Sequence, residues 1–140
     1  MNEKLIDKPI EEQVSYLENQ IEQILSLARD KEGVNHAINR VLGAGMYVES
    51  GQSVFLKAAE TLAKFGGDTI KATEPEVSSR LCEFGRITFE DVGAEAADEL
   101  CRRRNVSPNV LKNKDDFSAY EHFRGGHGDK ESVAKWMLGK

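Results

Sequence analysis

Residues 10–28, IEEQVSYLENQIEQILSLA, decide the fold class, because their apolar side chains recur with a helical period. Successive apolar residues are alternately four and three positions apart, which is the heptad spacing of an amphipathic α-helix. Asp7 is placed to cap this helix, Pro9 suits its first turn, and Gln13 is expected on its polar outer face. The apolar stripe consists of Ile10, Val14, Leu17, Ile21, Ile24 and Ala28.

The stripe has two interpretations that the sequence leaves open. It lies against the rest of its own chain, or it pairs with a second copy across a dimer axis; both remove the six side chains from water. On the second interpretation the six residues form an oligomer interface. We therefore divide the chain into an amphipathic helix at 1–32, which is a candidate dimerisation element, and a compact helical domain at 33–140.

Turn and cap signals divide the remainder into further short helices. The fold class predicted is mainly α, with six to seven helices and at most one short strand, near 46–48 or at Arg86-Ile87. A glycine pair is expected to end the third helix, and a capping box of Thr88 and Asp91 to begin a long one. The expected helices span 34–42, 54–65, 73–84 and 89–104, then one opening at Ser107-Pro108 and one following Asp129.

Composition limits the classes of function. The chain has 140 residues, of which 39% are hydrophobic and 31% charged, and its net charge is −5. Residues 1–85 carry 9 basic and 14 acidic side chains, whereas 86–140 carry 10 of each, so the acidity belongs to the first half. No apolar run approaches the roughly 20 residues that cross a bilayer, and the first residues lack the form of a secretory signal. We expect a cytoplasmic protein without a membrane partner.

The segment 88–114 carries the most informative motif. Leu100-Cys101-Arg102-Arg103-Arg104-Asn105-Val106-Ser107 joins two expected helices. It resembles the helix-turn-helix segment of insertion-sequence transposase proteins and of other small DNA-binding proteins. In that motif an apolar and a small residue of the first helix pack on the second, as Leu100 and Cys101 would here. The turn needs a residue that accepts a positive φ, at the place of Asn105, and then an apolar plug, at the place of Val106.

The resemblance implies which side chains would contact double-stranded DNA. Four of these side chains would lie on the exposed side of the second helix. There an asparagine can read adenine, and a lysine can contact guanine or phosphate. The arginine run would add charge for the phosphate backbone. Lys114 and Asp115-Asp116 depart from the family pattern. The candidate DNA-binding residues are Arg102, Arg103, Arg104, Ser107, Asn109, Lys112 and Asn113.

Other chemistry has weaker support. His122 and His127 lie among carboxylates next to a glycine-rich loop at 124–129, but their spacing matches no metal motif, so we assign no metal site. Cys82 and Cys101 are interpreted as thiols packed in the core. Carboxylates that are adjacent in sequence point in different directions on a helix, which disfavours an acid–base pair. We therefore predict a protein that is not an enzyme and has no cofactor.

Two functions remain. The favoured one is a regulatory or accessory DNA-binding protein that uses the helix-turn-helix-like segment. The alternative is a protein-protein interaction module, such as an adaptor, inhibitor or assembly subunit, that uses the heptad stripe and the acidic first half. The expected partners are double-stranded DNA, a second copy of the chain or another protein.

Overall fold

The computed structural model describes residues 4–44, 52–106 and 130–140, and this part of the chain is a small all-helical domain. Six α-helices follow a 3₁₀ turn at Leu5–Asp7: α1 (Ile10–Leu27), α2 (Lys31–Ala44), α3 (Gln52–Ile70), α4 (Pro75–Arg86), α5 (Ala94–Arg103) and α6 (Lys130–Leu138). A π-helical segment, Ile87–Asp91, continues α4. The mainly helical prediction is confirmed. The strand expected near 46–48, the helix expected at Ser107-Pro108 and the loop at 124–129 lie outside the described residues.

One core joins these helices. Helix α1 packs against α2, α4 and α5, while α6 packs against α2 and α3. The largest fully buried side chains include Phe84, Leu81, Leu100 and Met137, and the buried part of the α1 stripe belongs to the same cluster. The helix within 1–32 is therefore one wall of the core that it shares with the described part of 33–140.

The break between α1 and α2 is shorter than expected. Helix α2 begins at Lys31 rather than at 34, and Gly33 lies within its first turn. The Gly33 amide donates a 3.0 Å hydrogen bond to the Asp30 carboxylate, which therefore acts as the N-cap. A methyl group on Gly33 would collide with that carboxylate. The glycine thus permits the cap and does not interrupt the helix.

The prediction that Gly66-Gly67 ends α3 is wrong, because the helix continues to Ile70. The two glycines instead allow α4 to approach closely. A Cβ on Gly67 would meet the sulfur of Cys82, and one on Gly66 would lie 2.7 Å from the Met137 methyl group. The Ser78 hydroxyl donates a 2.6 Å hydrogen bond to the Gly67 carbonyl across the same contact. Tertiary packing here outweighs the usual preference of glycine for helix ends.

The boundaries around α4 and α5 also differ from expectation. Helix α4 is preceded by Glu74 as its N-cap, and it continues through Gly85. Thr88 caps no helix, since its hydroxyl donates back to the Phe84 carbonyl within a continuous helical run. The helix expected from 89 therefore begins only at Ala94. The strand considered at Arg86-Ile87 is also wrong, because both residues are helical.

The last helix is held mainly by α2. The Arg40 guanidinium lies 4.4 Å from the centre of the Trp136 ring, in cation–π geometry. Nδ1 of His36 lies 3.3 Å from the Met137 carbonyl oxygen, and Lys140 pairs with Asp30 at 2.5 Å. None of the helices in the described ranges combines the length and the apolar character that crossing a bilayer requires.

Candidate functional site

The turn after α5 has the geometry expected of the helix-turn-helix-like segment. Asn105 has a φ of 55°. The Val106 amide donates to the Cys101 carbonyl at 2.9 Å and the Asn105 amide to the Arg102 carbonyl at 3.2 Å, the pair of bonds that defines a Schellman cap. Leu100 and Cys101 are fully buried and Val106 is nearly so. Ser107, Asn109, Lys112 and Asn113 lie outside the described residues.

Two of the three arginines are engaged with carboxylates. Arg102 contacts Asp98 at 3.1 Å and Glu99 at 2.8 Å, both on α5. Arg103 contacts Glu99 at 3.2 Å and also pairs with Glu11 of α1. Each guanidinium donates hydrogen bonds to carboxylates, and these bonds raise its pKa. The bond to Glu99 makes the largest contribution for Arg102, and the bond to Glu11 makes the largest for Arg103. Both charges are compensated locally, so DNA phosphates would have to compete with these carboxylates.

Arg104 has a structural position. It is half-buried, and it donates to Asn39 at 3.1 Å and to Asn35 at 2.5 Å, so it joins the end of α5 to α2. Burial lowers the pKa of its guanidinium. Its side chain therefore lies between the end of α5 and the two asparagines of α2.

The heptad stripe lies inside the chain. Five of its six members, Val14, Leu17, Ile21, Ile24 and Ala28, are at most 6% exposed, whereas Ile10 is 39% exposed. A second copy could reach the five buried side chains only if the core opened. Of the two interpretations of the stripe, the structure has the intramolecular one.

The outer surface of α1 is acidic and partly apolar. The helix carries four glutamates and no lysine or arginine: Glu11, Glu12, Glu18 and Glu22. Four large apolar side chains are exposed in the described ranges, and three of them are on this helix: Ile10, Tyr16 and Leu27. Because Arg103 of α5 binds both Glu11 of α1 and Glu99 of α5, the acidic surface continues from α1 to Glu99.

Gln13 was expected on this outer face, but it is 4% exposed. Its amide nitrogen donates to the carbonyl oxygens of Ile6, at 3.2 Å, and Lys8, at 2.8 Å. Its amide oxygen accepts a 2.9 Å hydrogen bond from the Gly93 amide. One side chain therefore fastens α1 both to the 3₁₀ turn and to the residue that precedes α5.

Beside Gln13 is an open groove that the sequence did not predict, which we call the N-terminal groove. Its deeper part has a volume of about 540 Å³ between the 3₁₀ turn, α1 and the π-helical segment, and a shallower part of about 350 Å³ continues along α1. The deeper part is lined by Lys4, Leu5, Ile6, Lys8, Tyr16, Glu90 and Asp91. The shallower part is lined by Leu5, Lys8, Glu11, Glu12, Ser15, Tyr16 and Asn19. π-Helical segments recur at functional sites, but the sequence did not predict this one.

The described residues contain no cluster of histidine, cysteine, aspartate and glutamate able to hold a metal ion, and His122 and His127 lie outside them. Both cysteines are free thiols. Burial raises the pKa of Cys101 to about 12 and also raises that of Cys82, so neither is prepared to act as a thiolate at neutral pH.

Comparison with known proteins adds no relative. No family model matches the chain, and no curated protein or solved structure matches it either.

Proposed function

We propose that the protein acts by binding another protein, and that the outer surface of α1 supplies the contact. The observation that carries this proposal is the division of α1 into two sides. Its apolar stripe is used within the chain, while its outer side presents four glutamates together with exposed Tyr16 and Leu27. Tyrosine is enriched at protein–protein interfaces relative to the rest of a protein surface, and Tyr16 is exposed among these glutamates.

The charge of this surface specifies the partner further. Arg103 is shared between the carboxylates of α1 and α5, so the acidic groups outnumber the cations at the junction. A negative surface attracts a positive one during diffusional encounter and disfavours acidic competitors. We therefore expect a partner whose contact region is basic.

Charge reversal tests this proposal. In the variant that combines Glu12→Lys and Glu22→Lys, both on the exposed side of α1, the partner should no longer be recovered with the tagged full-length protein. The matched control combines Asp68→Lys and Glu76→Lys, which make the same change of charge at exposed positions of α3 and α4. Equal recovery of the partner by both variants, each folded by circular dichroism, would contradict the proposal.

DNA binding is the second candidate, and the Schellman turn at Asn105-Val106 favours it. Such a turn, with Leu100 and Cys101 packed behind it, is what a helix-turn-helix needs before its second helix. The acidic surroundings of Arg102 and Arg103 argue against it, since phosphates bind to a positive surface.

Duplex titration separates the two candidates. If the second candidate is correct, the affinity for genomic DNA fragments falls steeply between low and moderate salt, and Lys112→Glu abolishes binding. If the protein-binding proposal is correct, neither the wild type nor Lys112→Glu shifts the duplex at moderate salt. The wild-type titration at two salt concentrations therefore decides between them.

A further inference from the structure

In the π-helical segment after α4, an uncommon backbone register replaces the α-helical one. The Val92 amide donates a 3.1 Å hydrogen bond to the carbonyl oxygen of Ile87, five residues earlier. In an α-helix the same amide would bond to the carbonyl of Thr88, four residues earlier. Because π-helical turns are rare, contacts beyond the backbone preference have to favour this register.

Arg86 makes a side-chain contact that depends on the register. Its guanidinium donates two parallel hydrogen bonds to the Asp91 carboxylate, at 3.1 Å from Nη2 and 3.4 Å from Nη1. In an α-helix a residue lies about 140° around the axis from the one five positions earlier. A turn closed by a bond across five residues brings the two side chains back to nearly the same side. The forked pair therefore favours the π register over the α register.

The other two ion pairs of Arg86 do not depend on the register in this way. Glu83, three residues before Arg86, lies 2.6 Å from Nη2, and Glu90, four residues after it, lies 3.1 Å from Nη1. Side chains three and four residues apart are neighbours on an ordinary α-helix. Asp91 is thus the carboxylate that distinguishes the two registers, and Glu90 is its natural control.

The register also sets the position of the chain that follows. Val92 is 1% exposed in the core, and the Gly93 amide donates a 2.9 Å hydrogen bond to the amide oxygen of Gln13 on α1. A change to the α register would rotate this part of the chain relative to α4 and draw Gly93 away from Gln13. The ion pair on the outside and the Gln13 bond on the inside therefore hold the same register.

We propose that residues 87–91 form a switch between two registers, which the Arg86–Asp91 pair holds in the π form and which loss of the Asp91 charge shifts toward the α form. The pair can be reversed, because Arg86 is 40% and Asp91 38% exposed and water competes for both groups. Glu90 and Asp91 line the N-terminal groove, so the switch changes the shape of that wall. The inference does not depend on the proposed function.

NMR couplings across hydrogen bonds test the switch in the isotope-labelled full-length protein, because they identify the carbonyl that accepts the Val92 amide. Relaxation dispersion at Val92 and Gly93 measures a minor register. In Asp91→Asn and Asp91→Ala the ratio of α to π register should rise, by up to about fivefold for the loss of one exposed ion pair. Glu90→Gln removes a charge from the same guanidinium and should leave the ratio at the wild-type value.

Three results would overturn the inference. An unchanged ratio in both Asp91 variants would mean that packing of Val92 alone sets the register. An equal rise in Glu90→Gln would mean that the total charge around Arg86, and not the contact across five residues, is responsible. Exchange at Val92 without a coupling or chemical shift typical of a bond to Thr88 would mean that the segment frays and does not change register.

Discussion

At Gly67 the sequence predicts a helix end, whereas the structure has a position inside a helix. A glycine pair usually ends a helix, and the local sequence around Gly66-Gly67 contains no signal that it does otherwise. The reason for the glycine is on α4, where Ser78 and Cys82 occupy the space that a Cβ would need. Asn105 was predicted correctly because its positive φ is required by the turn it forms with its own neighbours.

Gly67→Ala should therefore destabilise the protein, although alanine is the better helix former. The new methyl group has no space beside Cys82 or the Ser78 carbonyl, and overpacking of this kind costs about 1–3 kcal/mol. Urea unfolding followed by circular dichroism measures the loss. Ser79→Ala, at an exposed position of α4, should stay within about 0.5 kcal/mol of the wild type.

A double variant shows whether the collision is the cause. If it is, Cys82→Ala frees the space, and the combination with Gly67→Ala should be less destabilised than the sum of the two single changes. Strict additivity would mean that the contact between Gly67 and Cys82 does not limit the approach of α3 and α4.

At the scale of the element, helix identities were easier to predict than helix ends. The heptad spacing located α1 within one residue at its C-terminus, because apolar periodicity is a property of the segment itself. The start of α2 depends on Asp30 reaching forward to Gly33, and the end of α4 on a π-helical continuation of the chain. Gln13 was assigned to the wrong face because its partners, Ile6 and Gly93, come from separate segments.

The Asp30 cap predicts a dependence of stability on pH. The hydrogen bond from Lys140, followed by that from the Gly33 amide, lowers the pKa of Asp30 below its ordinary 3.8. The folded state therefore favours the carboxylate, and this stabilisation is present above the unfolded pKa and is lost as the pH falls through the folded one. Asp30→Ala should cost about 1 kcal/mol near neutrality.

The pH series has its own control. Asp30→Ser retains a capping oxygen but loses the ion pair with Lys140, so it should lower the free energy of unfolding by less than Asp30→Ala does. In urea unfolding, the difference between wild type and Asp30→Ala should shrink as the pH is lowered below about 3.8. A difference that stays constant down to acidic pH would show that the Asp30 charge does not contribute.

At the scale of the whole molecule, the fold class followed from the sequence, whereas the site did not. The N-terminal groove brings residues 4–16 together with Glu90 and Asp91, which are distant along the chain, and no local pattern places Tyr16 beside Asp91. The sequence also left open whether the α1 stripe faces inward or toward a second copy, because burial in either place requires the same residues. In the structure, five of the six stripe residues belong to the core of their own chain.

Leu17→Asp tests that arrangement. Leu17 has no exposed surface, so a carboxylate there would be buried without a partner, which should cost about 3 kcal/mol or more and unfold the chain. Tyr16→Asp, one residue away on the exposed side, should remain folded. Circular dichroism measures whether each variant is folded, and light scattering measures its mass. A folded Leu17→Asp protein of half the wild-type mass would place the stripe at a dimer axis instead.

The outer surface of α1 is the proposed contact surface for a protein. Site-specific photo-crosslinking in the cells that make the protein tests this most directly, with benzoylphenylalanine at position 16 and, as a control, at exposed position 71. We predict a protein adduct from position 16 but not from 71, joined through a basic region of the partner and lost when Glu12 and Glu22 are reversed. Adducts of equal yield from both positions, or nucleic acid in place of protein at position 16, would contradict it.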